Sequence, residues 1–150
     1  MKFKRLDGRF VYKNIDKKRI SWDGPSKSRF QRRVKQFFKT YWFNDVCYEE
    51  MPCAGTRLAL DFFNASKHIA IEVHGEQHGK FNPFFHNYDR KKFLDQIERD
   101  MRKREWCEIN DFLLIEIFAE EDEEKLMLED PQGFKEMLED KYEIKLLRAI

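Results

Sequence analysis

Two apolar segments separated by a long helical segment constrain this chain most. Residues 68–74 contain the apolar run Ile69–Ile71 followed by Val73, and residues 112–118 are almost wholly apolar, which is typical of a buried strand. Residues 87–107, between them, carry apolar side chains at helical spacing. Strands and helices in this order favour a layered arrangement of helices around one mixed sheet.

Other patterns complete the predicted order of elements. The core is predicted as α-β-β-β-α-β, with a small hairpin formed by 9–12 and 19–22 before it, and with an acidic helix and a helix from Pro131 after it. Its predicted elements are a helix at 26–42, strands at 46–50, 57–63 and 68–74, a helix at 87–107 and a strand at 112–118. We expect one compact α/β (α+β) domain, made of a basic N-terminal β extension (1–25), a core (26–118) and an acidic helical C-terminal extension (119–150).

Composition excludes several classes of protein. Aromatic residues make up 15% of the chain, whereas disordered chains are poor in them. No apolar run reaches the roughly 18 residues of a membrane-spanning helix, and no apolar stretch follows the first charges as in a secretory signal. The three cysteines form no CxxC pair, so we expect reduced thiols in a cytoplasmic protein that does not bind membranes.

Charge is distributed unevenly along the chain. Residues 1–43 contain 14 Lys and Arg against three Asp, and residues 116–140 contain 11 acidic residues against two Lys. A basic region of this size suggests a polyanionic partner. A solvated charged surface is the alternative interpretation.

Two carboxylates are expected to meet on one surface of the sheet. Because side chains alternate along a strand, Leu60 and Ile71 can both face the core while Asp61 and Glu72 face a common surface. Neighbouring carboxylates repel each other unless a cation lies between them. Carboxylate oxygens suit Mg²⁺, which adds waters and phosphate oxygens. The pair is a candidate metal site, although each residue alone could be a solvated strand charge.

Further polar groups follow Glu72 closely. His74 shares a strand face with Glu72, and His78 lies in the expected loop that follows. We expect His78 to act as general base or to position a water, and His74 to contact a phosphate or the attacking water. A surface histidine without a role is the alternative for each.

These motifs resemble those of a known nuclease superfamily. The segments LALDF (58–62), HIAIEVHGEQH (68–78) and NDFLLIEI (110–117), with a basic helix between the last two, resemble the PD-(D/E)XK nucleases, and most closely their very-short-patch-repair-like and phage homing endonuclease branch. The resemblance covers roughly residues 26–118. It implies a restriction-endonuclease-like core and Mg²⁺ or Mn²⁺ on Asp61 and Glu72.

The resemblance leaves two positions open. Gln31 on the first helix is the candidate to complete the site, and Glu50 is the second candidate. The motif lysine is replaced by His74, and Lys103 or Gln96 of the long helix can take over its role. A solvated helix face is an equally good interpretation of those last two residues.

The predicted function is Mg-dependent hydrolysis of DNA phosphodiesters by a phage or mobile-element (homing-type) endonuclease. Double-stranded DNA is the expected partner. Cleavage of both strands would suggest a homodimer or higher homo-oligomer. The basic N-terminal segment and the first helix are predicted to hold the DNA backbone. The helix residues chosen for this role lie off its apolar stripe and are Arg29, Arg32, Arg33 and Lys35.

Other functions compete with this prediction. A non-catalytic DNA-binding module would use the basic region but has no need of Asp61 and Glu72 side by side. A DNA repair or junction nuclease would have the same fold. A protein-interaction domain would leave the basic region unexplained, and a zinc site would need two closely spaced Cys or His ligands.

Overall fold

The computed structural model describes residues 1–75 and 90–150 and confirms the predicted order of the core elements. The predicted start of the long helix, at 87, lies outside the described residues. Two short strands precede the core and two helices follow it. The elements are β1 (Lys2–Lys4), β2 (Phe10–Tyr12), α1 (Arg29–Trp42), β3 (Cys47–Pro52), β4 (Ala59–Asn64), β5 (Ile69–His74), α2 (Arg90–Ile109), β6 (Leu113–Phe118), α3 (Glu123–Glu129) and α4 (Pro131–Tyr142), with short 3-10 helices at Asp16–Lys18 and Ala119–Glu121.

Four strands form one mixed sheet in the order β3-β4-β5-β6. The pairs β3–β4 and β4–β5 are antiparallel, and β5–β6 is parallel. The connection between the two parallel strands contains α2, because parallel neighbours cannot be joined by a tight turn. The described residues therefore form a mixed α/β protein with a four-stranded mixed sheet and four α-helices.

Apolar side chains pack against both faces of this sheet. On one face, Phe38 of α1 and Phe134 of α4 are buried in the same cluster as Ile71. On the other face, Phe3 of β1 lies against Trp106 of α2, with 5.4 Å between ring centroids. Both terminal extensions thus contribute to the core. Burial of such large side chains is the main stabilising contribution to a domain of this size.

Helix α1 begins later than predicted. Ser28 is its N-cap, and its Oγ accepts a hydrogen bond from the backbone N–H of Gln31 at 3.1 Å. Ser26, at the predicted start, lies before the helix. The predicted apolar stripe is confirmed, since Val34 and Phe38 are fully buried.

The N-terminal hairpin has a different partner from the predicted one. Strand β2 pairs with β1, so the predicted pairing of 9–12 with 19–22 is wrong. Arg19 instead makes an isolated bridge to β3. Gly8 has a φ of 86° in the turn between β1 and β2, a conformation that glycine adopts without strain.

The alternation of side chains is interrupted where β3 and β4 pass Glu50 and Asp61. Glu50 has a φ of 54°, in the left-handed region. After it, Met51 and its cross-strand partner Leu60 pack on the α2 face, whereas Ile71 packs on the α1 face. The prediction that Leu60 and Ile71 share a core face is therefore wrong, because the strict alternation of side chains between the two faces is interrupted at Glu50 and Asp61.

The C-terminal helices agree with the sequence patterns. Pro131 occupies the first turn of α4, and Oδ1 of Asp130 accepts a hydrogen bond from the backbone N–H of Gly133 at 3.0 Å. Among the described residues, no helix has the length and apolar character needed to cross a bilayer.

Candidate active site

Strands β4 and β5 stop pairing at Asp61. Their backbone ladder ends with the pair Phe62–Ile71. Beyond it, Oδ2 of Asp61 accepts a hydrogen bond from the backbone N–H of Val73 at 2.7 Å. The Asp61 side chain, which is 7% exposed, thus accepts the hydrogen bond that a backbone carbonyl accepts in a continuous strand pair. This bond fixes the direction of the carboxylate.

Glu72 lies beside Asp61 and is 4% exposed. Burial raises the pKa of Glu72 well above its usual value, and the negative charge of Asp61 and a hydrogen bond between the two carboxyl groups raise it further. A hydrogen bond between two carboxyl groups requires a proton on one of them. The pair therefore attracts a positive charge, supplied either by that proton or by a cation.

Lys103 of α2 partly neutralises the pair. Its Nζ lies 2.8 Å from Oε1 of Glu72, which is an ion-pair distance. Burial alone would lower the pKa of Lys103, but Glu72, Asp61 and Asp100 together raise it, so the ammonium group stays charged. No second donor among the described residues reaches Oε1 of Glu72, which is buried.

The pair of carboxylates fits a hard divalent cation. Its donors are oxygens, their combined charge exceeds that of Lys103, and Lys103 is the one donor among residues 1–75 and 90–150 that reaches the buried Oε1 of Glu72. In the same residues, no three His, Cys, Asp or Glu side chains are grouped as a metal site. Mg²⁺ commonly takes only one or two carboxylates and completes its shell with waters and substrate phosphates.

His74 and Glu116 form a second polar cluster next to this pair. Nε2 of His74 lies 3.0 Å from Oε1 of Glu116, and the imidazole stacks on Phe118 at 4.6 Å between centroids. Arg104 donates three hydrogen bonds of 2.8 to 3.2 Å to the Glu116 carboxylate. Burial would raise the pKa of Glu116, but the hydrogen bonds from His74 and Arg104 lower it to about 2. His74 is thus buried in a network, and its predicted contact with phosphate or water stays a prediction.

Sequence reasoning missed Glu116 and Arg104. Glu116 faces Glu72 directly in the parallel ladder of β5 and β6. The available signal was a single charged residue inside an otherwise apolar strand, since a buried charge must have a partner.

Gln31 lies at the β3 side of the sheet. It is buried, and its Nε2 donates to Oε2 of Glu49 at 2.9 Å and to Oε1 of Glu50 at 3.0 Å. The position of Glu50 faces Asp61, because the pairs on either side of it are in register. The structure thus joins the two residues considered for completing the site, Gln31 and Glu50, by a hydrogen bond.

The four basic residues predicted to hold DNA have different surroundings. Lys35 is 1% exposed, and its Nζ donates to two backbone carbonyls and to Glu49, so its ammonium group is not available for the predicted contact with the DNA backbone. Arg33 pairs with Glu124 of α3 at 3.1 Å. Arg29 and Arg32 are exposed.

Two predicted groups remain, His78 and Gln96. His78 lies outside the described residues, so its predicted role stays a prediction. Gln96 is partly buried on α2, two turns before Lys103.

The cysteines are buried thiols. Burial raises the pKa of Cys47 and of Cys53 to about 12, and it raises the pKa of Cys107 as well. Zinc binds thiolates, so these three side chains are poor zinc ligands in the folded protein.

Comparison with known proteins finds similar proteins in viruses. The chain is 38% identical over 66 residues to "Uncharacterized protein 033L" of Invertebrate iridescent virus 3, and 37% identical over 60 residues to "Uncharacterized protein 307L" of Invertebrate iridescent virus 6. It is also 38% identical over 66 residues to "Uncharacterized protein 094L" of Frog virus 3 (isolate Goorha).

These matches are partial. They cover 40 to 44% of this chain and 34%, 30% and 43% of the three viral proteins, in the same order. The chain therefore spans less than half the length of these relatives. No family model and no solved structure matches it.

Proposed function

We propose that this chain is a divalent-metal-dependent DNA endonuclease with the restriction-endonuclease-like core of the PD-(D/E)XK superfamily. The observation that carries the proposal is the buried pair Asp61 and Glu72 at the point where β4 and β5 stop pairing. Holding two carboxylates together without a full set of partners costs stability, so a cation is the simplest reason for their arrangement.

Each residue of the pair has a role in this proposal. Asp61 and Glu72 hold Mg²⁺ or Mn²⁺, with Asp61 kept in direction by the Val73 backbone N–H. The metal ion would supply Lewis-acid stabilisation of the phosphate and would lower the pKa of a bound water. Lys103, already on Glu72, would offset negative charge that develops on the phosphate oxygens.

The proton acceptor is assigned less directly. Lys103 stays charged beside Glu72, so it suits a charge-stabilising role better than that of a base. His74 and His78 are the proposed candidates for accepting or relaying the proton.

The origin and substrate belong to the proposal too. Viral relatives are compatible with an enzyme of phage or mobile-element type, and double-stranded DNA is the proposed substrate. Cutting both strands would need a second active site, which a homodimer supplies.

The test is conversion of supercoiled plasmid to the open-circular form with Mg²⁺, Mn²⁺ or EDTA. Wild-type protein should nick with either metal and not in EDTA. Asp61→Asn and Glu72→Gln keep the side-chain shape, remove the charge and should abolish nicking. Glu108→Gln, at an exposed position of α2, is the matched control. Nicking that survives in Asp61→Asn or Glu72→Gln would contradict the assignment.

The second candidate is a DNA-binding module without catalysis. Exposed, unpaired cations in the first 32 residues favour it, because they serve binding whether or not cleavage follows. Binding of duplex without nicking under any metal would select this function. Cleavage confined to branched DNA would select a junction or repair nuclease.

A further inference from the structure

An open cleft lies beside the β3 edge of the sheet. It has a volume of about 380 Å³. The 3-10 helix at Asp16–Lys18 and the residue after it form one wall, the segment before α1 forms the other, and the middle of β3 is also part of the lining. The charged residues that line it are Lys17, Lys18, Arg19, Lys27, Glu49 and Glu50.

The four cations of this cleft are free to meet a ligand. All four are exposed, and none forms an ion pair within residues 1–75 and 90–150. Two other cations of the basic region are already paired, Arg5 with Asp7 and Lys39 with Asp23, whereas Arg29 and Arg32 on α1 are exposed like those of the cleft. Unpaired cations held close together repel each other, so their grouping favours a polyanionic ligand.

The acidic residues of the cleft do not oppose this charge fully. Glu49 accepts from Lys35 at 2.9 Å and from Gln31 at 2.9 Å, so its charge is already balanced by a buried ammonium group. Glu50 accepts from the same Gln31 side chain. The cleft therefore contains four exposed cations and two carboxylates, and both carboxylates already accept hydrogen bonds from side chains of the protein. The Oγ of Ser26, also in the lining, is buried without a hydrogen-bond partner among the described residues.

The lining of the cleft and the carboxylate pair lie on consecutive strands of the sheet. Glu50, in its lining, faces Asp61 on the next strand, and Asp61 is beside Glu72 on the strand after that. Neighbouring strands lie about 4.8 Å apart, so the backbone at Glu50 is about 10 Å from that at Glu72. One strand of DNA advances about 3.4 Å per nucleotide, so about three nucleotides span that distance.

We propose that this cleft, rather than the exposed face of α1, holds the sugar-phosphate backbone of duplex DNA next to Asp61 and Glu72. The proposal rests on the proposed DNA substrate but not on cleavage. Each lysine or arginine of the cleft contacts a phosphate oxygen, and such contacts orient the duplex without reading its sequence.

Two double variants of equal charge test the assignment. Lys18→Ala with Lys27→Ala removes one cation from each wall of the cleft, and Arg29→Ala with Arg32→Ala removes two exposed cations from α1. Affinity for a fluorescein-labelled DNA duplex is measured by anisotropy in EDTA over a series of salt concentrations. Thermal unfolding by circular dichroism checks that both variants fold.

The expected result separates the two surfaces. The cleft variant should lose about 10-fold or more in affinity at low salt, and the slope of log affinity against log salt should flatten by about two, since each lost phosphate contact removes about 0.9. The α1 variant should change the slope by less than half as much. Equal losses, or a larger loss in the α1 variant, would overturn the proposal, as would absence of duplex binding by the wild type.

Two further outcomes have defined meanings. Tighter binding to an RNA duplex of the same sequence would overturn DNA as the ligand of the cleft. Wild-type protein that binds DNA through the cleft but never nicks plasmid with Mg²⁺ would overturn the proposed endonuclease and support the cleft.

Discussion

Glu72 and Glu116 face each other on the two parallel strands, yet their surroundings differ in kind. Both are glutamates at paired positions of β5 and β6. The pKa of Glu72 is raised by burial and by Asp61, whereas the pKa of Glu116 is lowered to about 2 by His74 and Arg104 despite its burial. Glu116 has a full set of partners within the protein, and Glu72 has a second carboxylate and one lysine.

The difference separates a carboxylate whose partners are all within the protein from one that lies beside a second carboxyl group. Glu116 links α2 to the sheet through Arg104, and its ion pair needs nothing from outside. Glu72 has a like charge beside it and one ammonium group, Lys103, to balance two carboxyl groups. Like charges are rarely held together in a protein interior without a compensating cation, which is the reason for the cation in the proposed function.

The largest expected effect concerns catalysis. Glu72→Gln should lower the rate of Mg²⁺-dependent nicking by about 10³-fold, because it removes a charged ligand of the proposed metal ion and so weakens electrostatic stabilisation of the reacting phosphate. Glu116→Gln should lower it by only about 10-fold, as is common for residues that support a site through another side chain. Single-turnover nicking rates measure both. Equal losses would mean that the two glutamates do not differ in function.

The second effect is stabilisation by a divalent cation. A saturating ion at about 100 times its dissociation constant should stabilise the wild type by about 2.7 kcal/mol. Glu116→Gln should retain most of this gain, and Glu72→Gln and Asp61→Asn should lose it. Thermal unfolding with and without Mg²⁺ or Ca²⁺ gives the comparison. A gain that persists in Glu72→Gln would place the ion elsewhere.

The third effect is on stability without metal, and its sign differs between the two glutamates. Glu116→Gln should lower the free energy of unfolding by about 1–2 kcal/mol, less than for a fully buried pair because Arg104 is 47% exposed. Glu72→Gln should raise it by about 1 kcal/mol at neutral pH, since it removes repulsion from Asp61. Urea unfolding measures both changes. The same sign for both would refute the comparison.

The smallest effect is a difference in pH dependence. Because the folded-state pKa of Glu72 lies above its usual 4.5, the folded protein holds a proton that the unfolded chain releases, and stability falls as pH rises from 4.5 toward that raised pKa. The pKa of Glu116 is lowered to about 2, so its contribution is present above 4.5 and is lost as pH falls toward 2. The midpoint of urea unfolding is measured as a function of pH. Its pH dependence should become weaker above pH 4.5 in Glu72→Gln and below pH 4.5 in Glu116→Gln. Parallel profiles would count against both assignments.

The sequence predicted the core elements because their patterns are long. Residues 26–42 and 112–118 each show a clear periodicity or apolar run, and the structure has a helix and a strand there. The neighbouring positions of Asp61 and Glu72 followed from adjacent strands alone, and the coupling of the two carboxyl groups agrees with that expectation.

Features that depend on distant contacts were not predictable. Lys35 has the spacing of an exposed helix residue, but carbonyls of the preceding loop and Glu49 hold its ammonium group inside the protein. Strand β2 is only three residues long, which is too short for its hydrophobic pattern to specify the strand with which it pairs. Glu116 faces Glu72 because of the parallel register of β5 and β6, and the apolar pattern of residues 112–118 does not predict that register.

The burial of all three cysteines has a practical consequence for experiments on this protein. Each thiol is shielded from solvent, and a pKa near 12 for Cys47 and Cys53 leaves almost no thiolate at neutral pH. A cysteine introduced at an exposed position can therefore be labelled with maleimide dyes while the natural thiols stay unmodified. Conversely, the slow rate at which the natural thiols are modified measures how often the folded chain opens.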